Sequence, residues 1–424
     1  MAGHVVVVGA SLGGLRAAEQ LRAAGHDGPI TVVGEEAHLP YNRPPLSKDV
    51  LADAGDDDAD RLHATLAFRR RASVGDVDFV LGRRAVASDL TARTLTLDDG
   101  TVLSYDGLVV ATGLRARRLG LPGPTAGRHV IRTLDDALGL RAAIRTNTTA
   151  VVIGAGFVGC ETAASLHKLG LHVTVVDPFP VAFERALGTQ LGGAIQRHLE
   201  AAGVRFRTGT GVTAYTGAGG SDPGSDPGSD PGSDQGSDHG QVAGVTLDDG
   251  TTLQAGLVVE AVGSVCNTEW LAGNGLDLTD GVLTDNDLRV LGTERVVAVG
   301  DVARFPNALF GGDPRRTEHW SMPTDTAKRA AATLVAELTG GPGAEAPFAP
   351  IPSFWSDLLD LRLQAYGSPA LGTESRVDEG DLDRLADGVL VTYLRDGRLV
   401  GNVAVNLPPV RQRALREAFL QPVS

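Results

Sequence analysis

Two glycine loops in one chain limit what this sequence can fold into. Near the start, the β-branched run from Val5 passes into "GASLGG" (9–14) and then "LRAAEQLRAAG"; from Val151, "VVIGAGFVGCE" does the same and continues as "TAASLHKLG". Each is followed by another apolar run, "ITVVGEE" at 30–36 and "HVTVVD" at 172–177. Strand, tight glycine turn, helix and strand make the βαβ unit of a dinucleotide-binding fold. In such a loop the first glycine permits the turn, the middle position lets backbone approach a pyrophosphate, and the last lets helix pack on strand. The pyrophosphate then lies at the helix N-terminus, where unpaired N–H groups and the dipole favour negative charge.

Gly9, Gly13 and Gly14 serve the first loop, with Ser11 in the middle place; Gly154, Gly156 and Gly159 fill all three places of the second. Glu35 or Glu36 closes the second strand of the first unit, positioned to accept hydrogen bonds from a ribose diol. Asp177 stands about twenty residues beyond the second loop, where a ribose 2′-hydroxyl would lie. The residues after it are Pro178-Phe179-Pro180, with no arginine pair. A 2′-phosphate would meet an acid there, so NADH is preferred over NADPH.

The repetition goes further. "LTLDDGTVLSYDGLVVATG" (95–113) and "VTLDDGTTLQAGLVVEAVG" (245–263) align without a gap, each roughly a hundred residues after its own loop. Each reads as a hairpin on an Asp-Gly turn followed by a buried strand. The plan is duplicated, and the expected fold class is α/β: two Rossmann-like dinucleotide-binding domains plus a small α+β C-terminal domain. Between the second loop and its hairpin lie five Ser-Asp-x-Gly units within 219–240. They are too polar and too rich in Gly and Pro to bury anything, and read as a flexible tip on a surface hairpin.

Composition excludes several classes. The net charge of −14 argues against a nucleic-acid binder. No apolar run approaches the roughly 18 residues of a membrane span. Met1–His4 lead straight into a strand with no basic segment or cleavage site, which reads as cytoplasmic. Cys160 and Cys266 form neither a disulfide framework nor a C-x-x-C motif, and the ten histidines lack ligand spacing, so no metal is expected. Both cysteines read as inert packing residues, Cys160 on a helix and Cys266 in a loop after a strand. "DAGDDDAD" (53–60) reads as a solvated loop and Arg69-Arg70-Arg71 as a solvated helix face.

A set of motifs then occurs together and in order: "LPYNRPPLSK" (39–48), "VVATG" (109–113), "IRTLDDA" (131–137), "VVAVGDVARFP" (296–306), "EHW" (318–320) and "PSFWSDLLDLRLQAYG" (352–367). Over nearly the whole chain apart from the Ser-Asp repeat, the sequence resembles the flavoprotein ferredoxin reductases of the putidaredoxin reductase and rubredoxin reductase type. These share a glutathione-reductase-like fold and pass electrons to P450 or Rieske oxygenase systems. The resemblance implies that residues 1–113 and 255–330 form an FAD domain, 114–254 an NAD domain, and 331–424 a C-terminal interface domain.

It also implies roles. Gly9, Ser11, Gly13 and Gly14 would hold the FAD pyrophosphate and Glu35 its ribose. Arg43 and Lys48 would contact the cofactor near its adenosine and flavin ends, and Ala85 would place backbone beside the adenine. Thr112 and Gly113 would join the same shell. Arg132 would pack at the flavin, and Asp301, after Gly300, would bond the ribityl chain. Trp320 would sit at the pyrimidine edge, just before a helix whose N-terminus would stabilise negative charge on reduced flavin. Gly154, Gly156, Gly159, Glu161 and Asp177 would hold NADH, and Lys48 and Glu161 are the candidate catalytic residues. Disulfide reductases of this fold carry a redox Cys pair after the first βαβ unit; here that region, "RPPLSKDVLADAG" (43–55), has no cysteine. Electrons would leave the flavin for an acceptor outside the chain, a [2Fe–2S] ferredoxin, and the protein would be a monomer or homodimer.

The chain departs from the family pattern at Met322, Pro323, Thr326, Leu358 and Cys266. Two alternatives follow: a flavoenzyme acting directly on a small organic molecule, with a Met322–Leu358 surface as its pocket, or an NADH-sensing binding module. Trp355 reads equally as a core aromatic or as part of the acceptor face. Cutting residues 219–240 to a short turn is expected to leave flavin reduction by NADH intact; a bleaching assay that showed it abolished would refute the surface-tip reading.

Overall fold

A computed structural model of the chain describes residues 3–52, 58–217 and 240–420. Val5–Val8 is a run of four valines, every one buried. Such unbroken β-branched runs suit the middle of a parallel sheet, where both faces are covered. It pairs in parallel with Ile30–Gly34 on one side and Gly107–Val110 on the other, Val5 lying opposite both Ile30 and Gly107. Val296–Ala298 and Asp78–Leu81 complete a five-stranded sheet. The helices Leu12–Ala23 and Met322–Thr339 pack on each other over it, and the three-stranded antiparallel sheet of Ala85–Asp89, Thr94–Leu97 and Val102–Ser104 shares its apolar core.

The second unit repeats this plan. Its parallel sheet runs Arg205–Thr208, His172–Asp177, Thr149–Ile153, Leu257–Glu260, Arg128–His129. A second three-stranded antiparallel sheet, Val212–Gly217, Val242–Leu247 and Thr252–Gln254, stands where the first unit has its own. The two Asp-Gly turns match: Gly100 and Gly250 have φ of +84° and +80°, and Leu97 and Leu247 donate to Thr101 and Thr251 carbonyls at 2.9 and 2.8 Å. Val212–Gly217 and Val242–Leu247 pair antiparallel, Gly217 opposite Val242. The Ser-Asp repeat joins these two strands, and apart from Gly240 its five units lie outside the described residues.

Several expectations shift. Leu257–Glu260 pairs with Thr149–Ile153, so the second unit extends to Glu260 rather than ending at 254. Met322–Thr339 is one helix on the first unit, so the third unit cannot begin at 331. That unit is an antiparallel sheet ordered Ser353–Leu358, Leu361–Gly367, Arg398–Val405, Val389–Arg395, Glu374–Glu379, with a closing helix Arg411–Glu417. It docks on the second unit, sharing one apolar cluster with it, and Tyr393 donates to the Leu187 carbonyl at 2.8 Å. Asp58 is not in a loop of acids but caps the helix Ala59–Leu66; residues 53–57 of that acidic run lie outside the described residues. Arg69–Arg71 is not a helix face: it lies in the connection after that helix, with Arg70 over the Phe79 ring. Cys266 belongs to the short strand Ser264–Cys266. Among the described residues no helix is long and apolar enough to cross a membrane.

Gly154 has φ +104°, and a Cβ there would fall 2.3 Å from the Ala261 carbonyl oxygen. Gly154→Ala is therefore expected to destabilise the fold by about 3 kcal/mol, strain and overlap combined. A methyl group on Gly156 would meet nothing within 4 Å, so that position should tolerate the same change. Chemical denaturation of the two variants side by side checks this.

Candidate functional site

The glycine loops have the same construction. A Cβ on Gly9 would lie 2.1 Å from the Ala111 carbonyl oxygen, and one on Gly14 would lie 1.8 Å from that of Gly9. In the second loop the corresponding distances are 2.3 Å for Gly154 and 1.9 Å for Gly159. Only glycine lets helix, turn and strand approach this closely. Both helices start bare: neither Ser11 nor Gly156, their N-caps, makes a side-chain capping bond. Two other helices are capped by side chains, with the Asp58 carboxylate accepting from two amides and with a Thr133–Asp136 capping box. The first-turn N–H groups of the two loop helices thus face outward, and together with the dipole they suit a pyrophosphate.

The acids at the strand ends differ between the units. Asp177 turns onto its own loop, Oδ2 accepting from the Ala155 amide at 2.6 Å and Oδ1 from Phe179 at 2.9 Å. Glu35 is exposed, 3.9 Å from Arg84 Nε. Its neighbour Glu36 is half-buried and accepts from Arg43 Nη2 and the Tyr41 hydroxyl, each at 2.5 Å. Ala85, half-buried, opens the strand Ala85–Asp89 and packs on the first unit's core.

From Arg43 a polar chain runs along the first unit. Arg43 Nη1 donates to the Arg132 carbonyl at 2.6 Å; Arg132 Nε donates to the Leu114 carbonyl at 3.1 Å and Nη2 reaches Asp301 Oδ2 at 3.5 Å. Burial raises the Asp301 carboxyl above its usual range, and Arg132 opposes that. The Gly300 amide donates to the Thr326 hydroxyl at 2.9 Å, tying "GD" to the helix Met322–Thr339. Thr112 and Asn267 exchange bonds, hydroxyl to carbonyl at 2.6 Å and side-chain amide to carbonyl at 3.0 Å. Gly113, φ +57°, follows, with Arg132 Nη2 3.8 Å from where its Cβ would be.

At the far end the His319 ring lies against that of Phe354, centroids 4.7 Å apart and planes tilted by 57°, and its Nδ1 is buried without a partner. Burial alone lowers its pKa to about 4, so the ring is neutral. Trp320, 42% exposed, meets Trp355 of the third unit edge to face at 5.1 Å.

Lys48 and Glu161, assigned to different cofactors by the sequence reading, are brought together. Lys48 Nζ lies 3.0 Å from Glu161 Oε1 and 3.7 Å from Asp357 Oδ2. Glu161 is buried and accepts two more bonds, from Ser47 Oγ at 2.8 Å and Ser356 Oγ at 2.6 Å. Ser47, Ser356, Tyr41 and Arg316, which donates to the Asp301 carbonyl at 3.1 Å, were not singled out from sequence. The signal lay inside "RPPLSK" and "FWSD", where a serine sits beside the charged residue. Met322 is 1% exposed and Leu358 fully buried, in two different core clusters, so they cannot form the surface pocket that the small-molecule alternative required.

Residues 3–330 match the family model for pyridine nucleotide-disulphide oxidoreductases, and residues 353–420 match the reductase C-terminal domain. The chain is 35% identical over 408 residues to the anthranilate 1,2-dioxygenase system ferredoxin–NAD(+) reductase component of Burkholderia cepacia, covering 95% of this chain and 90% of that one. It is 34% identical to rhodocoxin reductase of Rhodococcus erythropolis, covering 95% and 86%. Among solved structures it resembles the ferredoxin reductase for the CYP199A2 system from Rhodopseudomonas palustris, with TM-score 0.81, 32% identity and 95% and 91% coverage. It also resembles the reductase in a covalent putidaredoxin reductase–putidaredoxin complex, with TM-score 0.83, 28% identity and 98% and 93% coverage. With its duplicated bare-ended glycine loops and appended third sheet, the chain belongs to the pyridine nucleotide-disulphide oxidoreductase family.

Proposed function

We propose that this protein is an NADH-dependent flavoprotein reductase that passes electrons through FAD to a small [2Fe–2S] ferredoxin serving a P450 or Rieske oxygenase. The observation that carries this reading is the pairing of two bare-ended glycine loops with a Lys48–Glu161 ion pair linking residues from both units. FAD, when bound, supplies a two-electron acceptor for hydride that can release electrons singly. The chain's own residues do the rest. Gly9, Ser11, Gly13 and Gly14 with their helix end take the FAD pyrophosphate; Glu35, Arg43, Ala85, Thr112, Gly113, Arg132, Gly300 and Asp301 line its length. Gly154, Gly156, Gly159 and Asp177 take NADH. Lys48 presents its ammonium toward the flavin, and Glu161 holds it there.

The cysteines support an external acceptor. Cys160 is wholly buried in the second unit's core, and burial pushes its thiol well above the ordinary range. Cys266 is half-buried on a strand, its thiol also raised by burial. Neither lies within 43–55, so no internal disulfide continues the electron path. Exposed Trp320 of "EHW" packs edge to face on half-buried Trp355, and this aromatic pair marks the face that suits an acceptor.

The test is anaerobic. One equivalent of NADH is expected to bleach the purified yellow protein, and adding oxidised [2Fe–2S] ferredoxin to restore the colour as the ferredoxin is reduced. Bleaching without reoxidation by any of several ferredoxins would overturn the acceptor assignment. Gly156→Ala, which leaves packing untouched, should raise KM for NADH about tenfold with little change in kcat, because a methyl group there crowds the pyrophosphate. Steady-state kinetics beside a melting curve reads both.

A further inference from the structure

Glu161 is a buried carboxylate held by donors from two other parts of the chain. Oε2 accepts from Ser47 Oγ at 2.8 Å; Oε1 accepts from Ser356 Oγ at 2.6 Å and faces Lys48 Nζ at 3.0 Å. Ser47 and Lys48 belong to the first unit, Glu161 to the helix Phe157–Lys168 of the second, and Ser356 to the strand Ser353–Leu358 of the third. A buried carboxylate is tolerated only when its oxygens are matched by donors of good geometry.

Ser356 is fully buried, and strand alternation puts it in one row with Phe354 and Leu358, both in the apolar cluster shared by the second and third units. An apolar side chain would pack at that place, yet a hydroxyl stands there and donates to Glu161. We infer that Ser356 is a positioning residue for flavin reduction: through Glu161 it fixes the Lys48 ammonium, so the third unit completes the ion pair. This rests on the reading above, in which Lys48 faces the flavin.

The experiment uses the full-length FAD-loaded protein, wild type and the variants S356A, S356C and S356T, mixed anaerobically with NADH in a stopped-flow instrument. Cys keeps the size and loses the strong donor; Thr keeps the hydroxyl. The limiting rate of bleaching is expected to fall about tenfold in S356A and S356C, the cost of one hydrogen bond to a charged group. The NADH concentration at half the limiting rate should stay within about twofold, and S356T should recover most of the rate. A purely structural role would slow all three together or lower FAD content, and that result overturns the inference. So do S356A and S356C variants that bleach at the wild-type rate. If S356A fails to fold, the S356C and S356T pair decides alone. A wild-type protein that NADH does not bleach would sink the functional reading instead, so the two failures are told apart.

Discussion

Everything in this molecule depends on how closely a helix can cross the turn that precedes it. Gly14 and Gly159 each bring a helix so near a carbonyl of the first loop glycine that one methyl group would collide. That approach seats each helix on its sheet and leaves its first turn pointing outward with unpaired donors. Stability and anion binding therefore come from the same contact. At both loops the helix begins on a residue that makes no side-chain cap, Ser11 in the first and Gly156 in the second, which leaves the first-turn donors open to an anion.

Where the two copies of the plan differ, the differences have purposes. The fifth strand of the first sheet, Val296–Ala298, comes after the hairpin strand it pairs with, whereas that of the second, Arg128–His129, comes before. This lets the second unit sit inside the first. The acids at the strand ends diverge as well: Asp177 is bound to its own loop amides, while Glu36 anchors Arg43 at the head of a polar chain ending at Asp301.

Much of the fold was legible because the signals are local. An Asp-Gly turn needs positive φ, and Gly100 and Gly250 supply it in both hairpins. The loops declare themselves by spacing. What escaped was non-local. The strand "LVVE" reads alike whichever sheet receives it, so the boundary at 254 fell short of Glu260. Ser356 reaches Glu161 across 195 positions, a pairing no periodicity reports. Met322 and Leu358 read as surface because they stand beside exposed residues of the motifs, Trp320 and Asp357. Helix and strand geometry turns them inward. For the run of arginines the reason is similar: charge alone suggested a solvated helix, but the helix ends at Leu66 before it.

The neck between the first two units carries one more consequence. The chain leaves the first unit through Leu114–Ala116 and returns through Ser264–Cys266, and these strands pair antiparallel, Leu114 opposite Cys266. The inserted unit thus has its two ends side by side, and closing it off costs little entropy. Polar bonds brace the base of this ribbon. Thr112 and Asn267, bonded to each other, sit at its root, and Arg132 is bonded to the Leu114 carbonyl. The ribbon is one of several ties between the two units: Ser165 Oγ donates to the Ser47 carbonyl at 2.7 Å, and Lys48 pairs with Glu161 at 3.0 Å.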